Sequence, residues 1–145
     1  MRRLARLVLA AALFAGAVPA LVLADDVPRL TGPVTDLTGA LTAYRAAATI
    51  DPSKAEPFAY TGWVIRLQGF PDQGLQLIDK AIALDGTYAD ARFFRGLILL
   101  RDKRDPEAAI PELQRYLVAS PDSPLAVQVR QLLAEAVAAK DQEKK

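Results

Sequence analysis

"GWVIRLQGFPDQGLQLIDKAIALDG" occupies Gly62–Gly86, and "GLILLRDKRDPEAAIPELQRYLVASPDS" occupies Gly96–Ser123. Both read as a small residue, an apolar run, a polar break, a second apolar run and a turn around Asp. Gly62 and Gly96 stand 34 residues apart, as do Ala55 and Ala89. A period of that length marks one supersecondary unit used more than once.

Within each copy the apolar residues recur at helical spacing. Phe58, Gly62 and Ile65 share one stripe, and Leu77, Ile78, Ala81 and Leu84 share a second. Ala109, Ile110, Leu113, Tyr116 and Leu117 form a third. The first copy predicts a hairpin of helices over about 56–68 and 72–84, with Gly69 as the stop signal and Pro71 near the next start. The second predicts helices over about 90–103 and 106–119, with Pro106 in the first turn and a kink at Pro111. Gly62 and Gly96 each cost up to about 1 kcal/mol of helix propensity relative to Ala. Close approach of the paired helix is the return expected for that cost.

Half of a further copy precedes these two. "GALTAYRAAATIDPSKAEP" carries Ala40, Tyr44, Ala47 and Pro52, each 34 residues before its counterpart Gly74, Ile78, Ala81 or Gly86. Its expected first helix falls on 21–35, where Pro28, Gly32 and Pro33 oppose one. Helix 37–50 therefore lacks its usual partner. Its apolar face is to be covered by helix 56–68, by an extended 27–36 segment or by another protein. At the far end Ser123 reads as an N-cap and Pro124 as the first helical residue. Leu125, Val129, Leu132, Leu133 and Ala136 form the apolar stripe of a capping helix over 123–140, with a charged tail at 141–145.

The amino terminus is of another kind. Arg2, Arg3 and Arg6 precede eighteen apolar residues, Leu7–Ala24. Residues 1–24 read either as a signal peptide cut after Ala20 or Ala24, or as a single retained transmembrane helix. In both readings the arginines place the remainder outside the cytoplasm: at a bacterial cell membrane if uncleaved, periplasmic or secreted if cleaved. Residues 25–36 read as an extended linker.

Composition narrows the chemistry. The 145 residues include no Cys and no His. That removes disulfides, thiolate nucleophiles, imidazole bases and Cys/His metal clusters. Asp25–Asp26 reads as a soluble flank, and Asp102 and Asp105 sit beside compensating Lys103 and Arg104. No glycine-rich phosphate loop or paired-carboxylate arrangement stands out, so no enzyme activity, cofactor or metal is expected. The 18 Lys and Arg exceed the 17 Asp and Glu by one; without residues 1–24, which hold three arginines and no acid, the balance is −2. The run "RDKR" at 101–104 reads as a helix end, where cations favour the dipole. Nucleic acid is therefore not an expected partner.

With these residues in place, the chain resembles the tetratricopeptide repeat family. That motif puts a small residue in the first helix, here Gly62 and Gly96. It flanks a large residue of the second helix with small ones: Gly74, Ile78 and Ala81 in one copy. One inserted residue brings Ala109, Leu113 and Tyr116 to those places in the next copy, with Pro121 in the closing turn. The resemblance implies an all-α fold, a short right-handed helical solenoid of antiparallel helix pairs with a C-terminal capping helix. The helical domain would span 37–140, as a half repeat at 37–54 and repeats at 55–88 and 89–122. More narrowly, "AYRAAATIDPSKAEPFAYTGWVIRLQG" and "YADARFFRGLILLRDKRDPEAAIPELQRYLVASPDSPLA" look like bacterial membrane-anchored repeat proteins labelled cytochrome c-type biogenesis factors. That likeness implies a module holding apocytochrome c during cytochrome c maturation.

In such repeats the first helices line the concave side, so the resemblance projects a protein-binding groove of Tyr60, Trp63, Arg66, Phe93, Leu97, Leu100 and Arg101. Aromatic residues there are typical anchors for a bound helix or extended segment, and Arg66 is suited to fork onto a carboxylate. Trp63 reads either as a groove contact or as core. Phe93 and Phe94 are not expected both to face inward, and Arg92 and Arg95 read as solvated. No lysine and asparagine set for clamping a terminal carboxylate is present at matching positions. Two functions stand: a non-catalytic module for a protein or peptide partner, or a structural accessory subunit of a larger membrane protein complex.

Overall fold

The computed structural model describes residues 37–143 as six helices. They are α1 (Leu37–Ile50), α2 (Ala55–Leu67), α3 (Pro71–Leu84), α4 (Ala89–Arg101), α5 (Pro106–Ala119) and α6 (Ala126–Glu143). Helices α2 and α3 pair closely, as do α4 and α5; α4 also lies against α2 and α3, α1 packs on α2, and α6 packs on α5. The chain is thus an all-α solenoid of antiparallel helix pairs ending in a capping helix.

Local chemistry sets the breaks. Gly69, at φ +94°, takes the left-handed conformation that ends α2, and the Phe70 N–H donates back to the Ile65 carbonyl. This is the 6→1 closure of a Schellman turn. The corresponding loop after α4 places Arg104 at φ +53°. It runs from 102 to 105, one residue longer than 68–70 after α2, which locates the inserted residue of the second repeat. Asp105 then caps α5, its Oδ1 accepting from the Ala108 N–H at 2.9 Å, and Pro106 fills the first helical position. The turns between repeats share another device. Asp51 Oδ1 accepts from the Ser53 N–H and Oγ at 3.2 and 2.6 Å; Asp85 Oδ1 accepts from Thr87 in the same way at 2.9 and 2.7 Å. The Thr87 side-chain hydroxyl, then its N–H, hold the Asp85 carboxyl below its usual range.

The glycines do what their placement suggested. A Cβ on Gly62 would stand 2.5 Å from the Gly74 carbonyl oxygen, and one on Gly74 would stand 2.6 Å from that of Gly62. The backbones of α2 and α3 therefore touch. At Gly96 the neighbour is a side chain, Leu113, at 2.9 Å.

Helix α5 carries Pro111 inside its span, where the sequence placed it. Other expectations need correction. Helix α6 starts at Ala126 rather than Pro124: Ser123 Oγ pairs with the Tyr116 hydroxyl at 2.9 Å instead of capping, and its carbonyl accepts from the Ala126 N–H in a preceding turn. The expected transmembrane helix, and with it the placement at a membrane, is also corrected. Among the described residues no helix is long and apolar enough to cross a membrane. The longest, α6, carries Arg130, Glu135, Lys140 and Asp141. The stretch 1–24 on which the signal-or-anchor expectation rested lies outside the described residues, as does the 25–36 linker.

Candidate protein-binding face

Helices α2 and α4 occupy the first place of each hairpin, and their apolar residues run around most of the helix. Ala55 and every residue from Pro57 to Ile65 in α2 are buried; so are Ala91, Phe93, Phe94, Gly96 and Ile98–Leu100 in α4. Such helices are interior elements, covered on several sides. Trp63 is 1% exposed and lies in the core, stacked on Phe94 at 4.9 Å. Phe93 and Phe94 are both buried, against the expectation that only one faces inward. Phe93 meets Tyr116 of α5 at 5.7 Å, and Phe94 meets Tyr60 edge-on at 5.3 Å. Tyr60 stacks in turn on Tyr44 of α1 at 5.1 Å. One aromatic column thus links α1, α2, α4 and α5. Such offset and edge contacts add about 0.5–1.5 kcal/mol per pair beyond the area they bury.

Polar groups border the column. The Tyr60 hydroxyl donates to Asp90 Oδ2 at 2.6 Å, with the Tyr88 hydroxyl at 3.3 Å from the same oxygen. Burial, and then the Asp90 charge, push the Tyr60 phenol well above its ordinary range. Burial raises that of Tyr116 as well.

Leu100 is buried with these rings. The remaining projected residues lie toward the surface, Leu97 half-buried. The Arg66 guanidinium sits 4.9 Å over the Trp63 ring and forks onto Asp102, Nε to Oδ2 at 2.8 Å and Nη2 to Oδ1 at 3.2 Å. Arg101 forks likewise onto Glu135 of α6. Each arginine thus holds a carboxylate about one repeat farther along, which ties α2 to α4 and α4 to α6. These acids were missed in the sequence, although a carboxylate one repeat beyond each arginine was the available signal. Asp102 and Lys103 were expected to neutralise one another; Asp102 instead takes Arg66, and Lys103 takes Asp72.

The projected residues therefore form two layers. Tyr60, Trp63, Phe93 and Leu100 lie beneath; Arg66, Leu97 and Arg101 lie above. Among the described residues no group of acidic side chains gathers that could hold a metal ion.

No protein-family profile matches the chain, and no curated protein matches it. Solved structures do. The chain is similar to the Yersinia enterocolitica type III secretion translocator chaperone SycD, at 17% identity and a TM-score of 0.64, over 73% of this chain and 75% of that one. It is also similar to MamA, at 16% identity and a TM-score of 0.51, over 77% of this chain and 72% of that one. At these identities the likeness shows the fold: a tetratricopeptide-repeat-like helical solenoid.

Proposed function

We propose that the chain is a non-catalytic protein-interaction module whose first-helix face, around Leu97 between Arg66 and Arg101, receives an extended or helical segment of a partner. The observation carrying this reading is that α2, α4 and α6 are tied side by side by the Arg66–Asp102 and Arg101–Glu135 pairs. Leu97, half-buried and packed on the core, lies one helical turn before Arg101. A pre-organised apolar strip with charged edges suits a peptide better than a small molecule. A chaperone among the solved structures of this fold is in keeping with it.

Apocytochrome c is the client implied by the sequence resemblance, so it is the first to test. Titration of the full chain with labelled apocytochrome c peptides should give saturable binding in the micromolar range. Leu97→Ser should weaken it at least tenfold while the thermal melt stays cooperative. Absence of binding would remove apocytochrome c as client; binding unchanged in Leu97→Ser would remove this face.

A structural subunit of a larger assembly is the second reading. It draws on one observation: among the described residues, α1 has no first-type helix paired with it.

A further inference from the structure

The loops inside the two hairpins hold corresponding residues and differ at two places. Gly69 and Phe70 stand where Arg104 and Asp105 stand one repeat later. Asp105 caps α5 through the Ala108 N–H at 2.9 Å. Phe70 has the same place before α3 and supplies no side-chain cap. The residue one period earlier, before α1, is again an aspartate, Asp36. Phe70 thus replaces a capping acid, forgoes the hydrogen bond that such a residue gives, and leaves its ring 53% exposed. Arg104 departs from a second rule. Its φ of +53° lies in the left-handed region that Gly69 fills at +94°, where a side chain is strained.

Backbone bonds pin both loops. The Phe70 N–H donates to the Ile65 carbonyl at 3.2 Å, and the Phe70 carbonyl accepts from the Gly74 N–H at 3.0 Å. The Asp105 N–H, next to Arg104, donates to the Leu99 carbonyl at 2.9 Å. Ion pairs then join the loops into one edge: Asp102 takes Arg66, and Lys103 takes Asp72, two residues past Phe70. The same pairs match Arg66 and Lys103 with an acid each, while Asp105 is turned to the start of α5. Arg104 is exposed, and among the described residues no carboxylate pairs with it. The edge therefore presents an aromatic ring and a cation at the two places where the other repeat carries the residue that favours the fold. Departures from local rules gather where a protein binds, and aromatic rings and arginines are common interface anchors.

We propose that the edge formed by loops 68–70 and 102–105 docks a protein segment carrying an apolar side chain next to a carboxylate, the apolar group seated on Phe70 and the carboxylate on Arg104. The inference depends neither on apocytochrome c nor on Leu97.

The test exchanges each residue for its counterpart. Phe70→Asp gives α3 the cap of α5, and Arg104→Gly gives the second loop the glycine of the first. Both variants of the full chain should unfold at urea concentrations no lower than wild type. The probe is an acetylated hexapeptide of serines with leucine beside glutamate at its centre. It is titrated to millimolar concentration into isotope-labelled chain and followed by amide chemical shifts. Wild type should show saturable shifts at 69–70 and 104–105. Each variant should bind at least fivefold more weakly, as should a peptide with serine for the leucine or glutamine for the glutamate. Lower stability in Phe70→Asp, which would mean that the ring serves the turn itself, overturns the proposal. So does binding unchanged in both variants, or no saturable shift up to millimolar peptide. Shifts confined to the Leu97 face also overturn it and leave the client reading standing.

Discussion

At Gly62 the spacing between helices is set by a missing methyl group. Its virtual Cβ falls on a carbonyl oxygen of α3, which no rotamer change can move. Gly62→Ala must therefore part the helices, and overpacking of this kind costs about 1–3 kcal/mol, more than the gain of up to about 1 kcal/mol in helix propensity. At Gly96 the obstacle is the buried Leu113 side chain, Cδ2 at 2.9 Å and Cγ at 3.0 Å, which yields more readily than backbone. Urea denaturation should place Gly62→Ala at least about 1 kcal/mol below Gly96→Ala; equal losses would mean that backbone contact does not set the α2–α3 spacing. The sequence showed both glycines and their period. It did not show that one meets backbone and the other a leucine, because that depends on the facing helix.

Helix α4 shows where element-level reading runs out. A single apolar stripe predicts one buried side, which is why Arg92 and Arg95 read as solvated and only one of Phe93 and Phe94 as buried. The element is instead covered by α2, α3 and α5 together: Arg92 pairs with Glu112, while Arg95 donates to Asp79 of α3 at 2.7 Å and only approaches Glu112. Glu112 of α5, its side chain 4% exposed, takes Arg92 at 2.9 Å, Arg115 at 2.7 Å and Arg95 at 3.4 Å. Arg92 also donates twice to the Gly86 carbonyl, so it joins the turn before α4 to α5. Nothing in the local pattern around Glu112 separates it from a solvent-facing residue; only its three cationic neighbours account for its burial. Helix positions, by contrast, were legible to within a residue or two through α5, because Gly69, Pro71 and Pro106 act locally. The start of α6 was misread because Ser123 had a tertiary partner, Tyr116. The Glu112 cluster and the Arg101–Glu135 pair separate buried from exposed charge. Arg92→Ala should lower stability by about 2 kcal/mol. Arg101→Ala should cost under about 1 kcal/mol, since both members of its pair are nearly half exposed. Chemical denaturation of the two variants gives the comparison, and a reversed order would contradict the burial seen at Glu112.

Across the whole molecule the aromatic column carries a pH dependence. The Tyr60 phenol keeps its proton in the folded chain to higher pH than in the unfolded one, because burial and Asp90 both disfavour the phenolate. Its contribution to stability is therefore complete below the unfolded value of 10.0 and is lost as pH rises beyond it. Tyr60→Phe should flatten the alkaline fall in melting temperature while leaving the neutral-to-alkaline baseline otherwise similar in shape. An unchanged alkaline limb would show that Tyr60 is not the group responsible. The column also supplies the chain with its own optical gauge. Trp63 is the sole tryptophan, and its stacking partner Phe94 belongs to the next repeat rather than to its own hairpin. Ultraviolet-excited emission from the unlabelled protein thus reports the seam between repeats, shifting to the red when that seam parts even if each hairpin stays helical.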